Sequence, residues 1–302
     1  MDAAMELIGF VRKCIGGFYT VETGSGIFTC KARGRFRKDR ISPCAGDRVL
    51  LVMEEDGSGA LTEIMPRKNY MVRPPVANLD QLFVVASVVE PSANTLLIDK
   101  AVATAELNGI EPVVVITKAD LGDASQLIEV YTSAGINCCM VSANTGAGLE
   151  QVRRLTDSKI SAFIGNSGVG KSTLLNHIFP GLELRTGEIS QKLGRGRHTT
   201  RMVEFYNIGE NSYVADTPGF STFDMERYQL TDKEQLVYGF REIAVVAQGC
   251  RYTSCSHTCE KGCAVLAAVR DGQISRSRFD SYVQMYQEIK DVKQWEQKSK
   301  RV

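Results

Sequence analysis

The pattern of apolar and polar positions changes character twice along the chain. Up to about residue 68, short apolar stretches alternate with glycine-rich breaks: Ile8-Gly9-Phe10-Val11, Gly16 to Val21, Gly26 to Cys30 and Asp47 to Val52. Short strands separated by glycine turns predict a small β-barrel. From Leu82 the apolar stretches alternate with helical ones: Leu82 to Ala86, a helix from about Ser92 to Leu107, then Pro112 to Ile116. Further strands are predicted near 137–141, 160–164, 202–206 and 212–215. Such alternation is the sequence form of a parallel α/β sheet. After about Leu230 the pattern turns helical and closes on a polar helix with apolar spacing at Phe279, Val283, Tyr286 and Ile289.

Composition narrows the class. A chain of 302 residues with 43% hydrophobic and 24% charged residues fits two or three soluble domains. No apolar run approaches the roughly 20 residues of a membrane span, and the acidic start Met1-Asp2-Ala3-Ala4-Met5-Glu6 lacks the features of a secretory signal. A cytoplasmic monomer without a membrane partner is expected. Of nine cysteines, Cys14, Cys30, Cys44, Cys138 and Cys139 show no framework spacing. The other four lie between Cys250 and Cys263, and in a chain without an export signal such crowding favours metal over disulfides. Net charge of +1 excludes a uniformly basic nucleic-acid binder but leaves room for a local basic patch.

Gly165-Asn166-Ser167-Gly168-Val169-Gly170-Lys171-Ser172 fits G-x-x-x-x-G-K-[ST] and follows the apolar strand 160–164. In that context the glycines let backbone N–H groups curl around phosphate oxygens, and the following helix adds its positive end. Lys171 is expected to reach the β- and γ-phosphates and Ser172 to ligate magnesium. Asp216-Thr217-Pro218-Gly219 closes the apolar strand Tyr213-Val214-Ala215, forty-four residues after Ser172, where a phosphate-loop enzyme places its magnesium-side aspartate.

Ahead of the phosphate loop, Thr117-Lys118-Ala119-Asp120 stands at the carboxyl end of an apolar strand and resembles the Asn-Lys-x-Asp guanine motif. The Asp120 carboxylate can accept from guanine N1–H and the exocyclic amine. Adenine offers neither proton, so an unpaired carboxylate would penalise ATP. The Lys118 stem is expected to cover the base. Ser142-Ala143-Asn144 resembles the loop whose backbone contacts the guanine oxygen. Thr117 departs from the motif: shorter than asparagine and without an amide, it is expected to weaken affinity while Asp120 keeps selectivity. Base-side motifs precede phosphate-side motifs here, the reverse of the usual GTPase order. The same sheet forms from either order if the old ends are joined and new ones cut. The chain then leaves the nucleotide domain directly after the Asp216 loop.

Cys250-x4-Cys255-x-His257-x5-Cys263 supplies three thiolates and an imidazole, enough for one closed, structural tetrahedral site. Spacing alone equally allows Cys250, Cys255, Cys259 and Cys263. Large apolar residues read as sparse in this segment, so metal is expected to supply much of its folding free energy.

Together these pieces resemble one family, the RsgA (YjeQ, YloQ) circularly permuted GTPases of small-subunit maturation. The matching segments are Thr117 to Asp120, Ser142 to Gly148, Gly165 to Thr173, Gly194 to Thr200, Asp216 to Phe220 and Cys250 to Val265. The resemblance implies a multi-domain α/β protein: an OB-fold RNA-binding barrel over 1–68, a permuted P-loop GTPase over 69–225 and a helical zinc-binding domain over 226–302. It implies one zinc ion on Cys250, Cys255, His257 and Cys263, magnesium bound with GTP, and hydrolysis stimulated by the small ribosomal subunit and its rRNA.

Phe220 stands where many GTPases carry a water-orienting glutamine. Phenylalanine can neither donate to nor accept from water, so slow intrinsic turnover is expected. His198, in Gly194-Arg195-Gly196-Arg197-His198-Thr199-Thr200, is the candidate to orient the attacking water once its loop is ordered. Thr199 or Thr200 could complete the magnesium shell with Ser172 and Asp216. Lys31 to Arg40 carries six cations, one anion and Phe36, a pattern suited to a phosphate backbone with the ring stacked on a base. The competing reading is a GTP-gated RNA- or ribosome-binding module in which hydrolysis is incidental.

Overall fold

The structure, a computed structural model, describes residues 6–34, 36, 41–54, 57–72, 74–182, 203–216 and 232–290. Its contacts divide the chain into two units. One takes in Met1–Asp80, Leu155–Phe163 and Arg185–Pro218; the other takes in Gln81–Arg154, Ile164–Leu184 and Gly219–Val302.

In the first unit, β1 (Glu6–Ile15), β2 (Phe18–Thr23), β3 (Gly26–Ala32), β4 (Arg48–Met53) and β5 (Gly59–Ile64) form a closed barrel. The ring runs β1-β2-β3-β5-β4 and returns to β1, with β3 and β5 parallel and the other pairs antiparallel. Closure removes the sheet edges of the OB-like barrel. Alternating positions point inward, so Val11, Val21, Cys30, Val49, Leu51 and Leu61 are fully buried. Strand β5 is absent from the apolar pattern because it opens on Gly59. A Cβ there would lie 2.5 Å from the Cys30 sulfur, so close strand approach selects glycine over a β-former. Before β4, the buried Asp47 carboxylate accepts from Cys44 N at 2.7 Å and from Arg67 Nε at 2.7 Å. A short hairpin, β6 (Tyr70–Val72) and β7 (Pro75–Ala77), follows.

The second unit holds the parallel strands β8 (Gln81–Ser87), β9 (Glu111–Thr117) and β10 (Asn137–Met140), ordered β10-β9-β8. Every residue of β8 is buried, as expected for a strand covered on both faces. Helix α1 (Thr95–Leu107) starts three residues later than its apolar pattern suggests, because the Asn94 side chain accepts from Leu97 N and fixes the cap there. Helices α2 (Ser125–Ser133) and α3 (Leu149–Leu155) follow β9 and β10. Strand β11 (Ile160–Gly165) leads to α4 (Lys171–Ile178). Residues 160–163 of β11, in the first unit, pair parallel with β13 (Ser212–Asp216). Strand β13 returns antiparallel to β12 (Glu204–Gly209), which meets β1 at Lys13↔Glu204. Phe10 of β1 stacks on Tyr213, with centroids 4.2 Å apart.

Later in the second unit come α5 (Arg241–Ala247), α6 (Ala264–Arg270) and α7 (Arg276–Ile289). Phe240, Ile243, Val265, Phe279, Tyr282 and Met285 belong to one buried cluster that also takes in Ala103 of α1, so this region is packed on an apolar core shared with α1, against the expectation of a segment held mainly by metal. The face of α7 also differs from its predicted spacing. Phe279, Tyr282, Met285 and Ile289 are buried, whereas Val283 and Tyr286 are only partly so. The stripe is rotated because Arg278 and Ser281 are buried as well, and Arg278 reaches Asp99 of α1. Among the described residues, no helix is long and apolar enough to cross a membrane.

Candidate nucleotide site and metal cluster

The phosphate-loop motif lies where its chemistry requires, between the end of β11 and the start of α4. A Cβ on Gly165 would stand 2.6 Å from the Val85 carbonyl, so β8 and the loop approach too closely for a side chain. Gly170, at φ +90°, caps α4 in a left-handed conformation and turns the chain toward Lys171. Lys171 is buried, and burial lowers its ammonium to about 8. Ser172 and Thr173 follow in the first turn of α4. Beside the loop, Ser87, Pro91, Asn94, Asn166 and Val169 line a cleft.

The base-side tetrapeptide is tied to this loop. Thr117 ends β9 buried, and its hydroxyl contacts the Val169 carbonyl and, at 3.0 Å, the Ala86 carbonyl. Lys118, at φ +56°, donates to the Gly168 carbonyl at 3.1 Å and to the Glu90 carbonyl. Its ammonium thus bridges the phosphate loop and the segment before α1. Asp120 is exposed and accepts from Asn144 Nδ2 at 3.0 Å. Hydrogen bonds from Ser142 and Asn144 hold its carboxyl below the usual range, leaving an ionised acceptor at neutral pH. Ala119 N donates to the Val141 carbonyl, joining the two base-side loops through the backbone as well. Ala143 sits between Ser142 and Asn144 in the second loop. Strand β13 ends on Asp216. The Asp216 side chain, Gly219, Phe220 and the loop with Arg195, Arg197, His198, Thr199 and Thr200 lie outside the described residues.

In the C-terminal region, one ligand atom from each of Cys250, Cys255, His257 and Cys263 lies within 4.8 Å of all the others. The Cys250 and Cys263 sulfurs are 3.7 Å apart, and His257 Nδ1 is 3.4 and 3.6 Å from them. A tetrahedron with metal–sulfur bonds of about 2.3 Å and metal–nitrogen bonds of about 2.05 Å has edges of about 3.8 and 3.6 Å. The spacing of Cys250, His257 and Cys263 therefore fits a metal ion, the Cys255 sulfur lies within 4.8 Å of the other three ligand atoms, and three thiols with an imidazole suit such a site in chemistry. Cys259 is exposed and outside this group. Burial holds the Cys255 and Cys263 thiols above their ordinary range. Burial alone would raise the Glu260 carboxyl, but hydrogen bonds from Ser256 and from the Cys259 backbone outweigh it and hold it at about 2.

Within the basic stretch, Phe36 departs from its sequence reading as a base-stacking ring. Phe36 is buried in the barrel core, because the turn closed by Phe36 N donating to the Arg33 carbonyl folds its ring inward. Phe18 of β2 is exposed instead, with Lys31 Nζ 5.2 Å from its ring centre. Arg35, Arg37, Lys38 and Arg40 lie outside the described residues. Sequence reasoning also missed Arg278. Fully buried, it donates to Asp99 at 2.7 Å and to Glu242 at 2.8 and 3.2 Å, beneath the Tyr131–Asp99 hydrogen bond of 3.0 Å.

Guanine-type loops that precede the phosphate loop, with an OB-like barrel before them and a Cys/His cluster after them, define a circularly permuted P-loop GTPase. Comparison with known proteins agrees with this class. The RsgA GTPase family model matches residues 64–226 and the RsgA N-terminal domain model residues 8–61. A model described as 50S ribosome-binding GTPase matches residues 160–298. The small ribosomal subunit biogenesis GTPase RsgA of Caldanaerobacter subterraneus is 45% identical over 291 residues, covering 95% of this chain and 97% of the relative. That of Streptococcus pneumoniae is 43% identical, covering 94% of each. The crystal structure of YjeQ from Thermotoga maritima superposes with a TM-score of 0.81 at 35% identity, covering 96% of this chain and all of that one. YloQ, described as a circularly permuted GTPase, gives 0.78 at 32% identity, with 96% of each chain covered. The chain belongs to the RsgA GTPase family.

Proposed function

We propose that this GTPase binds the small ribosomal subunit, assists its late maturation and hydrolyses GTP to GDP and phosphate with turnover stimulated by that subunit. One observation carries the nucleotide part of this reading: an ionised Asp120 acceptor on loops that Thr117 and Lys118 fasten to the phosphate loop. The names of the relatives from Caldanaerobacter and Streptococcus, both small-subunit biogenesis GTPases, support the partner.

On this reading Thr117 to Asp120 and Ser142 to Asn144 receive the base, while Gly165 to Thr173, Asp216 and Gly219 receive the phosphates. Lys171 neutralises charge on the transferred phosphoryl group. Ser172, Thr200 and Asp216 would hold magnesium, which when bound with GTP draws charge from the phosphate oxygens. His198 orients the attacking water once its loop is ordered on the subunit. Cys250, Cys255, His257 and Cys263 would hold one zinc ion, which when bound supplies a structural crosslink. The division into a barrel to residue 68, a GTPase domain to 225 and a zinc-bearing helical domain belongs to the same proposal, as do a cytoplasmic location and a monomeric state.

Sedimentation with purified subunits tests it. The protein is expected to pellet with small subunits more in a non-hydrolysable GTP analogue than in GDP, and not with large subunits. Equal pelleting in both nucleotides, or a preference for large subunits, would overturn the reading.

A further inference from the structure

The metal cluster depends on a histidine in an unusual backbone conformation. His257 sits at φ +59°, in the left-handed region that side-chain-bearing residues enter only where their surroundings impose it. The residues on either side show what imposes it. One Glu260 carboxylate oxygen accepts from Ser256 N at 2.7 Å, and the other accepts from Thr258 N and Cys259 N, both at 3.2 Å. Three amide protons flanking His257 thus converge on one carboxylate, which replaces the partners that a regular helix or sheet would give them. The Ser256 hydroxyl pairs with Thr258 Oγ1 at 2.8 Å across the same turn, and Tyr282 of α7 donates to the Ser256 carbonyl at 3.0 Å.

We propose that Glu260, although not a ligand, is the positioning residue of the metal site. By collecting the amides of residues 256, 258 and 259 it fixes the left-handed turn at His257 and aims Nδ1 at the Cys250 and Cys263 sulfurs. The inference rests on the zinc reading of the cluster. Glutamine at 260 keeps the size of the side chain but replaces one acceptor oxygen with an NH2 donor, so it cannot serve Ser256 N together with Thr258 N and Cys259 N. The tether from Tyr282 and the apolar core around α7 remain, which favours a folded variant.

The test uses the full chain, wild type, Glu260→Gln and His257→Ala, with two readouts: the rate of zinc transfer to a chromogenic chelator, and the visible spectrum after cobalt replacement. Partners that orient metal ligands typically change metal affinity by about 10–100-fold. Glu260→Gln is therefore expected to release zinc about 10–100-fold faster, with cobalt bands moved toward those of His257→Ala. Release at the wild-type rate with wild-type bands would overturn the proposal, and so would a lowered unfolding midpoint with both metal readouts unchanged. Wild-type protein that arrives without zinc and takes up no cobalt would instead overturn the reading of the cluster on which the proposal rests.

Discussion

Thr117 shows how a departure from a motif can be absorbed. The sequence suggests a loss, since threonine has no amide; the structure puts its hydroxyl against the Val169 carbonyl, so a shorter side chain still ties the base-side loop to the phosphate loop. Thr117→Val keeps the shape and removes the donor. A buried carbonyl without its partner costs about 1–3 kcal/mol, so GDP affinity is expected to fall at least fivefold with the preference for guanine kept; affinity equal to wild type would show the contact to be idle. Asp120→Asn exchanges an acceptor for a group that also donates and is expected to shift preference at least tenfold from GTP toward xanthosine triphosphate. An unchanged preference in competition binding would remove Asp120 from the base. Lys171 adds a pH dependence. Its ammonium titrates at about 8 in the free protein, and bound phosphates favour the charged form. Below pH 8 the lysine is charged with or without nucleotide, so affinity is level. Above it, binding must take up a proton, and GDP affinity is expected to fall by up to about tenfold per pH unit. A flat profile from pH 7 to 9.5 would contradict this. Glu260 and Lys118 explain the limits of the sequence at such positions. Motif spacing identifies groups that meet a ligand, but a carboxylate that serves three backbone amides, or an ammonium that bridges two carbonyls, has no spacing of its own.

Helix α1 was visible in the apolar pattern, and its partners were not. It carries Asp99, fully buried and paired with Arg278 of α7, which also pairs with Glu242 of α5 and lies 4.6 Å below the Phe240 ring. Apolar periodicity marks an arginine as surface, so α7 was read one position off, with Val283 and Tyr286 in place of Tyr282 and Met285. The parallel strands β8 and β9 are legible nearly whole because both faces are buried and apolar, whereas β5 of the barrel is hidden where tight packing selects glycine. Arg278→Met would leave Asp99 and Glu242 buried without their cation. Breaking such a pair typically costs about 3–5 kcal/mol, so the unfolding midpoint in urea is expected to drop strongly and to recover in part when Asp99→Leu is added. A midpoint within error of wild type would mean that the network carries no stability. Because this region packs on an apolar core, removal of the proposed zinc is expected to loosen the 250–263 segment while α5 to α7 keep their helical signal. Wholesale loss of that signal on chelation would return the core to the metal.

For the whole molecule, the order of motifs matters more than any one of them. The permutation makes the chain pass from the Asp216 loop directly into the region that carries the metal cluster. If the proposed function holds, γ-phosphate contacts at that loop would bias how the region is presented to the small subunit, and by linkage the subunit would favour the GTP-bound form. Phe220 in place of a glutamine predicts slow turnover alone, and on the proposed function His198 is the residue through which the small subunit would accelerate it. The most direct test is GTP hydrolysis by the full chain, alone, with purified small subunits and with purified large subunits. Slow turnover is expected alone and with large subunits, and a many-fold increase with small subunits that His198→Ala largely abolishes. Turnover that small subunits leave unchanged would overturn the proposed function.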